Sequence, residues 1–159
     1  LGALLRLGHG LDAVRMCSNP YSDYIGIIWQ DSGRDVQVAM WDGKRSLSGA
    51  PAQDADTEAN GASNINCDCA WFNSTTALFG FIDKDKLSID YFTFTTPNSW
   101  STSKLIYTSN TGNFAADDIK SMRFTLHPTT EEIMVITMDI KEDVRAIRWN
   151  GSSFLTPST

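Results

Sequence analysis

The chain has 159 residues, of which 42% are hydrophobic and 20% are charged, which is typical of a folded domain and excludes a disordered one. Its net charge of −6 would repel phosphate backbones, and no cluster of Lys and Arg offsets it, so nucleic acid is excluded as an expected partner. The longest clean apolar run, Ala77–Ile82, is far too short to cross a bilayer, and no membrane span is predicted.

The N-terminal segment, residues 1–10, is predicted to form a strand that comes from or joins a neighbouring structural unit. Within it, Leu1–Leu7 is apolar at Leu4, Leu5 and Leu7, around Arg6. It precedes the first complete unit of the chain and lacks the features of a signal peptide. We expect it to add a strand to the edge of a sheet.

The first complete unit spans about residues 12–48 and is predicted to contain four strands. Three of them, Val14–Ser18, Tyr24–Gln30 and Val36–Trp41, are separated by polar turns. The pair Asp42-Gly43 accepts positive φ, so it predicts a tight turn into a fourth strand at Lys44–Ser48.

An internal repeat is the most informative feature of the sequence. Val14–Gly43 aligns without a gap on Met122–Gly151, at an offset of 108 positions (122 − 14), and nine of the thirty positions are identical. About two identities would be expected by chance from ordinary residue usage. The two segments therefore predict the same structural unit, the second of them at about residues 119–156.

A more divergent copy is predicted between these two, at about residues 65–108. Ala77–Asp83 matches Ile25–Asp31 in character, and Leu87–Phe92 stands where the third strand of the first unit stands. A longer turn at Thr95–Ser99 then leads to a fourth strand at Lys104–Thr108. Half of 108 is 54, so the repeating unit has about 54 residues, close to the length of a β-propeller blade.

The second strands of the outer units, Ile25–Ile28 and Ile133–Ile136, are apolar at nearly every position, which requires cover on both faces of the sheet. Blades stacked face to face supply that cover. The predicted fold is therefore an all-β propeller of three four-stranded antiparallel blades, in one repeat domain over residues 1–159. A β-sandwich, which buries one face of each sheet, is the alternative.

The hairpins that close in Met40–Gly43 and Arg148–Gly151 resemble the blade repeats of bacterial and archaeal surface propellers, and more loosely those of fucose-binding propeller lectins. The resemblance covers about Val14 to Leu155, and its motif is a strand, an aromatic residue and a turn. It implies a propeller and does not imply a ligand. The Asp-box of sialidase propellers and the full WD-type signature are both missing from the sequence.

Acidic residues recur at the end of the second strand of each unit, as Asp31, Asp83 and Asp139. They could form a ring of carboxylates, but recurrence in every unit favours turn residues that hydrogen-bond their own backbone.

Among the three cysteines, Cys67 and Cys69 share one face of a strand. They are interpreted as buried small side chains, and the alternative is a disulfide from Cys17 to Cys67 or to Cys69.

Tryptophans that recur are assigned to the core, as Trp41 and Trp149. The others break the repeat and are the candidate ligand-binding residues: Trp29, Trp71 and Trp100. Filling an irregular interface between blades is the competing explanation for these three. No catalytic residues, metal ligands or cofactor are predicted.

The sequence predicts a non-catalytic propeller module of a secreted or cell-surface protein that acts in binding or assembly. The alternatives are a carbohydrate-binding lectin and a fragment of a propeller glycosidase. The expected partners are a second copy of the chain that completes a six-bladed ring, or further blades of a parent chain, with a glycan as the possible ligand.

Overall fold

A computed structural model describes residues 10–44, 53–56, 66–83, 88–108 and 119–155, with only the backbone of 53–56 and 107–108. The described residues form strands in three antiparallel sheets and no helix, which confirms the all-β prediction. The described part of the chain thus contains no helix that could cross a membrane. The predicted strand in residues 1–10 lies almost wholly outside the described residues.

Sheet 1 contains four strands in sequential order. They are β1 (Leu11–Ser18), β2 (Ile25–Asp31), β3 (Val36–Trp41) and β4 (Gln53–Asp56). The fourth strand differs from the prediction, because β4 lies beyond the predicted segment Lys44–Ser48 and pairs with Val36–Val38. Residues 45–48 of the predicted strand Lys44–Ser48 lie outside the described part of the chain, and Lys44 is not in a strand.

Sheet 2 contains five strands. They are β5 (Cys67–Trp71), β6 (Thr76–Asp83), β7 (Ser88–Thr95), β8 (Ser99–Trp100) and β9 (Lys104–Thr108), with both β8 and β9 paired to β7. The turn predicted at Thr95–Ser99 and the strand predicted at Lys104–Thr108 are both present. The short β8 was not predicted.

Sheet 3 contains three described strands, which are β10 (Ile119–Leu126), β11 (Ile133–Asp139) and β12 (Val144–Trp149). Their bounds are those of β1, β2 and β3 displaced by 108 positions, and β1 and β10 share a register irregularity at the same place. The described sheets thus hold four, five and three strands rather than four each. Gly43 and Gly151 have positive φ, as the turn composition predicted.

The three sheets stack in chain order, and each of the first two packs one face on the following sheet. We call the side of sheet 1 that carries Val14, Met16 and Trp41 its front face, and the side that carries Ile28 and Val36 its back face. The back face of sheet 1 packs on the front face of sheet 2, where β5 presents Cys67, Cys69 and Trp71. We call this contact seam 1.

Seam 2 repeats the arrangement one step along the chain. The back face of sheet 2, including Leu78 and Tyr91, packs on the front face of sheet 3, including Met122, Val135 and Trp149. Sheet 2 is therefore covered on both faces, and nearly all its residues in β5, β6 and β7 are buried. Of the three described sheets, sheets 1 and 3 each pack against another sheet on one face only.

Two glycines admit aromatic rings at the seams. A Cβ at Gly26, on the back of sheet 1, would lie 2.7 Å from Cζ of Phe79, and one at Gly80, on the back of sheet 2, would overlap Cζ of Phe124. In each seam a ring from the following sheet thus occupies the space that a side chain on the second strand would fill.

Candidate functional site

The aromatic residues of the seams gather at one end of the stack, where hairpin turns join the first two strands of each sheet. In seam 1, Phe94 lies 4.8 Å from Trp100, 6.3 Å from Tyr24 and 6.5 Å from Trp71, between ring centroids. The ring of Phe79 lies 5.2 Å from that of Trp100. We call these five residues the seam-1 aromatic cluster.

The cluster has a buried side and an accessible side. Trp71 is fully buried, and its Nε1 donates a hydrogen bond to the carbonyl oxygen of Cys17 across the seam, at 3.1 Å. Tyr24 and Trp100 are partly exposed, and both rings lie against Phe94. The indole N–H of Trp100 has no hydrogen-bond partner. That N–H is buried, so the accessible side consists of the two aromatic rings.

Two further contacts hold seam 1 together beside the cluster. A disulfide joins Cys17 on the back of sheet 1 to Cys69 on the front of sheet 2, and Cys67 remains a buried free thiol. The Nδ2 of Asn19 donates to the carbonyl oxygen of Ser74, at 2.9 Å, and so joins the two hairpin turns. The interpretation as a buried, unbridged side chain is confirmed for Cys67 and wrong for Cys69, which forms the alternative disulfide with Cys17.

Seam 2 has a smaller cluster at the same end. Trp149 lies 4.9 Å from Phe154, 5.6 Å from Phe72 and 5.7 Å from Tyr91, between ring centroids. Burial raises the pKa of the Tyr91 hydroxyl. The indole N–H of Trp149 is buried without a partner, while Phe154 is partly buried. Aromatic crowding at this end of the stack is thus common to both seams.

The opposite end of the stack carries the recurring aspartates, and Asp31 and Asp139 act as turn residues. Oδ1 of Asp31 accepts the N–H groups of Gly33 and Asp35, and Oδ1 of Asp139 accepts those of Lys141 and Asp143, at 2.8 to 3.1 Å. Asp83 is buried at the end of β6. Among the described residues no group of three His, Cys, Asp or Glu is placed to hold a metal ion.

The structure brings together two of the three predicted ligand-binding tryptophans, Trp71 and Trp100. Trp29 lies elsewhere, on the front face of sheet 1, where it is buried with its Nε1 unpartnered. Sequence reasoning did not single out Tyr24 or Phe94, because neither stands out from the alternating pattern of its strand. Phe94 occupies the place of Trp41 in its hairpin, which is the one signal that could have found it.

A buried carboxylate in seam 2 was also missed. Oδ2 of Asp68 accepts the backbone N–H of Phe124 at 2.8 Å and lies 3.9 Å from NH1 of Arg123. Burial raises the pKa of the Asp68 carboxyl and outweighs these contacts, which act in the opposite direction. The group links the first strands of sheets 2 and 3 and is not open to a ligand.

No family model and no curated protein matches this chain. Among solved structures, it is similar to the structure of SapL1 lectin in complex with alpha methyl fucoside, with a TM-score of 0.58 and 16% sequence identity. The match covers 92% of this chain and 46% of the other, so the chain spans about half the length of that lectin. At this identity the similarity shows a shared fold.

Proposed function

We propose that the protein is a carbohydrate-binding module that carries no catalytic machinery of its own. The observation that carries the proposal is the fold similarity over 92% of the chain to a lectin whose structure holds a fucoside. It favours the lectin alternative over the general reading of a binding or assembly module.

The glycan is proposed to bind at the accessible side of the seam-1 aromatic cluster. Sugar rings present C–H groups that pack against aromatic faces, while their hydroxyls need fixed polar partners. Tyr24 and Trp100 offer two partly exposed rings for such packing, and both rings lie against Phe94. Trp71 supports the site from beneath by anchoring the cluster to sheet 1.

The three sheets are proposed to be blades of a β-propeller. Each sheet packs its back on the front of the next, and the first strands β1, β5 and β10 lie side by side across the stack. The middle sheet, which is covered on both faces, supports stacked blades more than a sandwich of two sheets. A complete ring then requires more blades, from a second copy or from a longer parent chain.

Export to the cell surface or the surroundings is proposed on the basis of the Cys17–Cys69 disulfide. Structural disulfides persist in oxidising compartments and are rare in the cytosol. The bridge closes seam 1 directly beneath the proposed glycan site, so its loss should loosen that site first.

The test is calorimetric titration of the protein with alpha methyl fucoside and a panel of other methyl glycosides. We expect saturable binding of at least one glycoside, weakened on the order of tenfold or more by Trp100→Ala, since a stacked ring is a typical hot spot. Leu105→Ala, at an exposed position of the same sheet, serves as the matched control and should bind normally. An absence of binding across the panel, or hydrolysis of an aryl glycoside, would overturn the proposal.

A further inference from the structure

We infer that the front face of sheet 1 docks on the back face of sheet 3 of a second copy, and that two copies close into a ring through two such contacts. The inference rests on the blade arrangement proposed above. It is independent of where the glycan binds.

In the described part of the chain both faces carry exposed apolar residues, although Trp29, on the front of sheet 1, is buried. On the front of sheet 1, Met16 is 69% exposed, and Val14 and Trp41 are also exposed. On the back of sheet 3, Val144 is 67% exposed and Ile136 is 39% exposed. Soluble monomers seldom expose contiguous apolar patches of this kind, so each face is expected to be an interface.

The repeat identifies what covers each face. The residues in sheet 3 that correspond to Val14 and Trp41 are Met122 and Trp149, and both are buried against the back of sheet 2. A front face is thus covered, in the same fold, by the back face of the preceding sheet.

The same argument applies in reverse to the back of sheet 3. Ile136 and Val144 correspond to Ile28 and Val36, which are fully buried against the front of sheet 2. A back face is thus covered by the front face of the following sheet. The two open faces are the two halves of one seam, and a second copy supplies both.

Individual contacts across this third seam follow from seam 2. There the ring of Phe124 lies over Gly80. Phe124 corresponds to Met16 by the offset of 108. Gly80 corresponds to Ile136 by its place in the strand pairing. The first residue of the second strand that pairs with the first strand is Ala77 in sheet 2 and Ile133 in sheet 3, and Gly80 and Ile136 each lie three residues after it. We therefore expect Met16 of one copy to pack against Ile136 of the other.

The size of the similar lectin agrees with two copies. The match covers 92% of this chain and 46% of that one, so the other chain is twice as long (92/46 = 2). The same fold thus occurs in a chain with room for a second set of three sheets. A two-fold ring needs both contacts to form together, which makes the assembly a closed dimer.

The experiment is sedimentation equilibrium on Met16→Glu, Ile136→Lys and their equimolar mixture. We expect the parent chain to be a dimer and each variant to weaken the dimer on the order of 100-fold, because each buries an unpaired charge in both contacts. The mixture should recover a dimer, in which one contact is unaltered and the other pairs Glu with Lys. Leu105→Lys, at an exposed position of sheet 2 outside both open faces, is the matched control and should remain dimeric.

A folded parent chain that sediments as a monomer would overturn the inference, as would dimers of Met16→Glu as tight as those of the parent. Growth beyond the dimer would overturn ring closure. Because glycoside titration is a separate measurement, a monomer that still binds glycoside disproves only the ring, and a dimer that binds none disproves only the proposed function.

Discussion

Trp41 and Trp149 occupy the same place in their hairpins, opposite Ile25 and Ile133 respectively, yet Trp41 is 37% exposed and Trp149 only 4%. The sequence assigned both to the core because both recur. The difference arises because sheet 2 packs on the front of sheet 3, whereas none of the three described sheets packs on the front of sheet 1. The assignment holds for Trp149 and is wrong for Trp41 within a single chain.

Replacing these two tryptophans should therefore have unequal effects on folding. Trp149→Ala should lower the free energy of unfolding by about 3–5 kcal/mol, the usual cost of deleting a buried large aromatic side chain. Trp41→Ala should cost only about 1–2 kcal/mol, in the range of ordinary substitutions. Urea denaturation in the Met16→Glu background, where association is removed, gives both values. Equal losses for the two variants would contradict this account.

The close approach at Gly80 makes a second prediction about packing. Gly80→Ala should destabilise the fold by about 1–3 kcal/mol, because the added methyl group overlaps the ring of Phe124 and forces it to move. Phe124→Leu shortens that side chain, so the double variant should lose less than the two single losses added together. Additive losses in thermal or urea unfolding would show that the two residues do not interact.

The repeating framework could be predicted from the sequence because recurrence reports local structure. The offset of 108 gives the bounds of β10, β11 and β12 from those of β1, β2 and β3, and the aspartates at the ends of β2 and β11 recur because their turns need a side-chain acceptor. These features depend on residues near each other in the chain.

The fourth strand of sheet 1 and the candidate site could not be predicted in the same way. Residues 53–56 are polar and small and have no strand pattern, so pairing with β3, not propensity, makes them a strand. The seam-1 aromatic cluster joins Tyr24 of sheet 1 to Trp71 and Trp100 of sheet 2. Such a contact depends on how sheets stack, and no local pattern in one strand encodes it.

The cysteines provide a prediction on accessibility. Titration of the unreduced chain should find one thiol in denaturant and none in the native state, since Cys67 is buried and its burial raises the pKa of the thiol to about 12. Reduction of the Cys17–Cys69 disulfide should lower stability by about 2–4 kcal/mol. Cys67→Ala, which should show no thiol in either state, is the control. Three thiols in the unreduced, denatured chain would exclude the bridge.

Asp68 should make the folded protein less stable as the pH rises. Burial raises the pKa of its carboxyl in the folded state above the unfolded value of 3.8, so folding favours the protonated form. This contribution to stability is fully present below pH 3.8 and is lost as the pH rises through the folded-state pKa.

Asp68→Asn removes the ionisable group but keeps an oxygen that can accept the N–H of Phe124. The ion pair of Asp68 with the exposed Arg123, which the variant loses, contributes little to stability. The melting temperature of the variant relative to the parent should therefore increase between acidic and neutral pH. Ser152→Ala, which alters an exposed hydroxyl that donates to the neutral amide oxygen of Asn150 at 3.0 Å, should show no such trend. If the Asp68→Asn variant instead lost stability relative to the parent on going to neutral pH, the ion pair with Arg123, and not burial, would dominate at Asp68.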